Sequence, residues 1–144
     1  MSDENVDTVR RGFELLRERG VEAMLELVDP EFEVTTPPEF TVEPSTYRGH
    51  DGLRRYFDSF YEVMEEVRFE PEEFIAAGEQ VVVPMRLVAR GRGTGIEADQ
   101  RLVQVCTLRD GKMWRMDLYA TREEALAATS RRVSGASAPR TPPR

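Results

Sequence analysis

The stretch YRGHDGLRRYF, residues 47–57, holds the only histidine of the chain. The ordinary pKa of an imidazole suits general acid–base work near neutral pH, which makes His50 a catalytic candidate. It also sits between a glycine and an aspartate at the start of a helical pattern, where a turn-bonded histidine belongs. Asp51 beside it is suited to cap that helix, because its carboxylate can accept orphan backbone N–H groups. Asp117, in the strand pattern KMWRMDLYA, is the second acid–base candidate. Cys106 is the only cysteine. To act as a nucleophile it needs a base to form thiolate, and its own face offers none. One histidine and one cysteine on dissimilar elements make no zinc set without several carboxylates, so no metal is expected. RGRGTG, residues 91–95 with the preceding arginine, bridges two strand patterns and opens no helix. It lacks the context of a phosphate-binding loop, and no cofactor is implied. Glu62, Glu65 and Glu66 read as a solvated helix face.

The elements that must hold these residues follow from periodicity. Val6, Val9, Phe13 and Leu16 fall on one helical face over residues 4–19, with Gly20 as C-terminal cap. Val21, Met24, Leu25 and Val28 share the face of a second helix that Asp29-Pro30 ends. FEVTT (32–36) reads as a short strand, and the prolines at 37, 38 and 44 make 37–50 a loop. The third helix carries Phe57, Phe60, Met64 and Val67. The period then changes from 3.6 to 2. VRFEPEEFIAAG is a strand interrupted at Pro71, and in EQVVVPMRLVARG Pro84 marks a bulge or an edge. GRGTG turns into IEADQRLVQVCTLR. Asp110-Gly111 is a tight hairpin signal leading into the last strand. Thr121 and Glu124 form a capping box for a short helix over 122–130. Helices first and a long meander after argue α+β: three helices packed on a strongly curved antiparallel sheet, a cone with room for a small molecule.

The chain has 144 residues, enough for one domain with one core. Residues 1–130 form that domain, and 131–144, rich in Ser, Pro and Gly, read as a disordered basic tail. Of the net charge of −7, the tail's four arginines contribute +4, which leaves −11 on the body. A body so acidic repels a phosphate backbone, so nucleic acid is not an expected partner. No apolar run approaches the ~20 residues that span a bilayer. With one cysteine and an acidic, polar N-terminus, a cytoplasmic setting is expected and no membrane partner.

The order of elements resembles the SnoaL-like branch of the nuclear transport factor 2 superfamily. YRGHDGLRRYF after the proline-rich loop, RGRGTGIEADQR at the central hairpin, LRDGKMWRMDLY at the last hairpin and REEALAA at the end carry the resemblance, over residues 6–128. It implies a cone fold, but no single activity, because the superfamily spans cyclases, isomerases, hydrolases and members without known activity. Steroid isomerases of this fold use a tyrosine on the first helix, an aspartate base after the first strand and a protonated acid on the sheet. The resemblance places Phe13, Thr36 and Gln104 there: Phe13 cannot donate a hydrogen bond, Thr36 cannot serve as a base near neutral pH, and Gln104 keeps a donor. The epoxide-hydrolase branch uses an Asp-Arg-Asp set, where this chain has Met85, Leu87 and Leu118. The machinery of both is missing.

Strand phase decides what faces inward. A slip of one residue would turn Arg86 and Asp117 into the cone. Apolar alternation puts Met85 and Leu87, Gln104 and Cys106, and Trp114, Met116 and Leu118 on the inner face instead, since burying unpaired Arg115 and Asp117 is unfavourable. With Phe13, Phe57 and Phe60 from the helices, these ten side chains form the expected ligand pocket, with Gln104 and Trp114 as its polar contacts. The expected function is a pocket for a small apolar molecule; a proton-transfer enzyme of the polyketide-cyclase type using Gln104 with His50 or Asp117 is the alternative. A noncatalytic homodimer through the outer sheet face, with Val82, Val88, Val103, Val105 and Tyr119, is a third reading.

Overall fold

The computed structural model describes residues 2–35 and 46–134. It is an α+β structure of four helices and a curved, unclosed sheet of seven strands. Helix α1 spans Ser2–Arg19. Val9 and Leu15 are buried, and the Gly20 N–H closes the helix by bonding the carbonyls of Leu15 and Leu16. The second helix is shorter than its apolar spacing predicts. α2 covers only Val21–Met24, and a 3-10 turn over Leu25–Leu27 follows. Val28 is already extended and opens strand β1, Val28–Thr35, because Pro30 bars its predecessor from helix and the sheet offers pairing.

Strand β2 (Thr46–Arg48) lies inside the segment read from its prolines as loop; it pairs antiparallel with β1. Residues 36–45, including Thr36, fall outside the described residues. Helix α3 spans Gly49–Val63. It starts two residues before Asp51, so the cap is Arg48 in extended conformation, without a side-chain cap bond. Asp51 sits in the first turn and pairs with Arg54 at 2.5 Å. Gly52 presses on β2: a Cβ there would stand 2.9 Å from the Tyr47 carbonyl carbon. Met64 is extended and begins β3, Met64–Pro71, so Met64 and Val67 belong to the sheet rather than to the helix.

The meander continues through β4 (Ile75–Ala77), β5 (Gln80–Gly91), β6 (Glu97–Arg109) and β7 (Lys112–Tyr119). The strand order is β2-β1-β7-β6-β5-β3, with β4 beside β5. All pairings are antiparallel except one: β1 runs parallel to β7, so the sheet is mixed. Pro84 lies at neither an edge nor a bulge of the β5–β6 ladder, which runs unbroken from Gln80 to Arg90. It sits where the other neighbour of β5 changes from β4, last paired at Val82, to β3, first paired at Met85. A residue without an N–H is tolerated in that gap. At the last hairpin Asp110 and Gly111 both have positive φ, 53° and 78°, as a type I′ turn requires.

Helix α4, Arg122–Ser134, opens with the Glu124 N–H donating to Thr121 Oγ1 at 3.1 Å and extends four residues past its expected end. Two apolar clusters result. The larger lies between α1, α2, α3 and the concave face of the sheet. The smaller joins Val82, Val103 and Val105 on the convex face to Ala125 of α4, with Tyr119 and Leu126 beside them. That convex face was the expected homodimer surface. Val82, Val103 and Val105 of that face pack against the chain's own last helix.

Candidate functional site

Between the helices and the concave sheet face lies a cavity of about 470 Å³. Leu53, Tyr56, Phe57 and Phe60 face it from α3, at the i, i+3, i+4, i+7 spacing of one helical stripe. Phe13 enters from α1, and Phe69 from β3. The aromatic wall is tied edge to face: Phe57 meets Tyr56 and Phe69 at centroid distances of 5.3 and 5.9 Å. The opposite wall is aliphatic and sulfur-rich, with Met85 and Leu87 of β5 and Met116 and Leu118 of β7. Between them β6 presents every second residue inward: Ala98, Gln100, Leu102, Gln104 and Cys106.

Nine of the ten side chains read as pocket-forming therefore line one cavity. Trp114 does not. The β6–β7 ladder pairs Thr107 with Arg115 but Leu108 with Met113, so Trp114 is an extra residue, a bulge. The bulge reverses the alternation between Met113 and Met116, both of which line the cavity. Trp114 is not among the cavity-lining side chains, and the Arg109 guanidinium stacks on its ring at 4.4 Å.

Leu118, not Asp117, faces the cavity. Asp117 is paired with Val105 across the ladder, on the convex side, with its carboxylate 3.9 Å from Arg115. Arg86 is likewise outside, held by Asp99 through two contacts at 2.8 and 2.6 Å. His50 sits in the first turn of α3, with Nε2 2.8 Å from the Val28 carbonyl oxygen. A carbonyl only accepts, so Nε2 carries the proton and donates. The imidazole thus ties α3 to β1 and is not among the cavity-lining side chains. Neither acid–base candidate reaches the cavity interior.

No lining side chain among the described residues carries a charge. Its polar groups are the hydroxyls of Tyr47, Tyr56 and Ser59 and the amides of Gln100 and Gln104. Ser59 donates to the Tyr56 carbonyl at 2.9 Å. Burial pushes the Tyr56 hydroxyl up to about 12, with Tyr47 a smaller contributor. Burial, with Asp117 behind the sheet, pushes the Cys106 thiol up to about 12 as well, so it is a thiol and not a thiolate at neutral pH. The sequence reading missed Tyr56, Gln100 and Leu102, yet each was in phase with a residue it chose. Tyr56 precedes Phe57 on the same stripe, and Gln100 and Leu102 alternate with Gln104.

The SnoaL-like domain model matches residues 9–116. The chain belongs to the SnoaL-like domain family. No curated protein sequence matches this SnoaL-like chain. Solved structures do. An NTF2-like protein of unknown function from Burkholderia pseudomallei is 25% identical, with a TM-score of 0.72 over 88% of this chain and 97% of its own. TerC, co-crystallised with polyporic acid, is also 25% identical, with a TM-score of 0.71 over 88% and 98% of the two chains. A Jannaschia protein assigned provisionally as a SnoaL-like polyketide cyclase is 20% identical, with a TM-score of 0.70 over 90% and 94%, a likeness of fold alone. Among the described residues of this SnoaL-like domain no helix is long and apolar enough to cross a membrane. None of their His, Cys, Asp and Glu side chains form a group that could hold a metal ion.

Proposed function

We propose that this SnoaL-like domain binds a small apolar molecule between its helices and the concave face of its sheet. One observation carries the reading: a cavity of about 470 Å³ lined, among the described residues, by uncharged and mostly apolar side chains. That volume lies within the roughly 300–1,000 Å³ of ligand sites. The likeness to TerC, crystallised with polyporic acid, supports a small-molecule site. A proton-transfer enzyme of the cyclase type is the weaker reading. Its imidazole is engaged with a backbone carbonyl and Asp117 faces the other side of the sheet. For the homodimer reading, α4 packs on Val82, Val103 and Val105 of the convex face, while Val88 lies outside that cluster.

Thermal denaturation against a panel of apolar metabolites tests the reading, because a ligand that binds the native state raises apparent stability by about 2.7 kcal/mol at a hundred times its Kd. At least one neutral ring compound should raise Tm with concentration. Leu118→Trp, which fills the cavity from β7, should abolish that rise without unfolding the domain. An unchanged response in Leu118→Trp would place the ligand elsewhere and reject the cavity.

A further inference from the structure

We infer that the cavity selects neutral ring-bodied ligands that present one hydrogen-bonding group inward, and that Gln104 and Tyr56 are the residues that hold this group. The inference rests on the cavity being a ligand site. Among the described residues none of its lining side chains is charged. An ionised carboxylate, phosphate or ammonium entering it would shed its hydration and meet no counter-charge. The charged pairs of the neighbouring strands, Arg115–Asp117 and Arg86–Asp99, point to the convex face and are engaged with each other. Neutral molecules carry no such penalty.

Gln104 supplies the polar complement. It lies on β6 between Leu102 and Cys106, with Val83 and Leu118 as its neighbours across the sheet. Its amide offers two donors and an acceptor, and among the described residues its side chain makes no hydrogen bond. The Tyr56 hydroxyl approaches from the helical wall. This hydroxyl makes no hydrogen bond to a described residue. Both residues are half-buried and line the cavity, so these polar groups are open to a ligand that enters it. An amide from one wall and a phenol from the other match a carbonyl, a hydroxyl or both. The body of the ligand is read from the walls: Phe13, Phe57 and Phe60 favour a flat ring at offset or edge contact, and Met85 and Met116 offer thioethers that pack on ring edges. Gln100 stands on the same strand roughly 13 Å from Gln104 and is exposed, so it can meet a second polar group at the outer end of a longer ligand.

Three probes of one ring size separate the possibilities: 2-naphthol, naphthalene and 2-naphthoate, titrated calorimetrically into the full chain at neutral pH. 2-Naphthol should bind about tenfold more tightly than naphthalene. It should bind at least about a hundredfold more tightly than 2-naphthoate. Gln104→Leu and Tyr56→Phe should each weaken 2-naphthol towards the affinity of naphthalene and leave naphthalene within about twofold of its original value. Where Gln104→Leu fails to fold, Gln104→Met serves, and Tyr56→Phe keeps every ring contact. 2-Naphthoate binding as tightly as 2-naphthol, or a naphthol preference that survives both substitutions, overturns this inference and leaves the ligand site standing. Binding of none of the three overturns both.

Discussion

Asp29 shows how much a single residue can tie together in this chain. It is nearly buried at the start of β1, where its carboxylate accepts the Glu31 N–H at 2.8 Å and two bonds from Arg109, at 3.1 and 3.3 Å. Arg109 in turn lies over Trp114. The bulged tryptophan therefore completes a latch between β1 and the β6–β7 hairpin, and this is the role the structure gives it in place of ligand contact. The Glu31 N–H, followed by Arg109, holds the Asp29 carboxyl below its ordinary value of 3.8. A carboxyl whose folded pKa is depressed contributes stability that is present above the unfolded value and lost as pH falls through the folded one. Asp29→Asn should therefore be less stable than the parent at neutral pH, with the difference shrinking from about pH 5 to below about pH 4 as the parent's carboxylate is protonated. Urea denaturation across that range measures it; a difference constant with pH would show that the latch is not electrostatic.

At the scale of elements, the approach of α3 to β2 positions the aromatic wall. Gly52 permits it, because any Cβ would collide with the Tyr47 backbone, which has no side-chain freedom to give way. Gly52→Ala should destabilise the domain by about 1–3 kcal/mol, the usual cost of overpacking. It should also weaken any cavity ligand, since Tyr47 and Tyr56, 5.5 Å apart, move with the contact. Equilibrium unfolding of the variant decides this, and an unchanged midpoint would mean that α3 tilts freely. The same packing explains the misread boundaries. Val28 and Met64 each continue the apolar spacing of a preceding helix, yet both are extended, because each is the first residue that a sheet partner can claim. Local spacing ranks helix and strand nearly equally at such junctions, and tertiary pairing decides.

The whole molecule solves a two-sided problem. A sheet apolar on both faces needs cover on both, and α1 with α3 and then α4 supply it. A chain ending at Ala120 would lose α4 and expose Val82, Val103 and Val105. Sedimentation should then show more self-association at micromolar concentration than the full chain shows. A truncated chain that stays monomeric and equally stable would mean that α4 is dispensable. Exposed pairs such as Arg101–Glu72, at 2.9 Å, and Arg86–Asp99 decorate the remaining convex surface, where their contribution to stability is small.

The sequence by itself determined the α+β order, the two hairpins, the Thr121 cap before α4 and the phase that turns Leu118 inward, because each follows from short-range chemistry: apolar period, turn residues, cap residues. It even held the signal of the bulge. Asp110-Gly111 pins Leu108 opposite Met113, while apolar alternation pins Met116 and Leu118 inward, and these two parities disagree by one residue. Only the tertiary structure decided where the surplus residue goes, that β1 runs parallel to β7, that His50 serves a backbone carbonyl and that α4 folds onto the convex valines. Those outcomes depend on contacts between segments far apart in the chain, such as Val28 with His50 and Asp29 with Arg109. Such contacts are chosen by competition among alternative partners, a competition that a pattern along one strand does not contain.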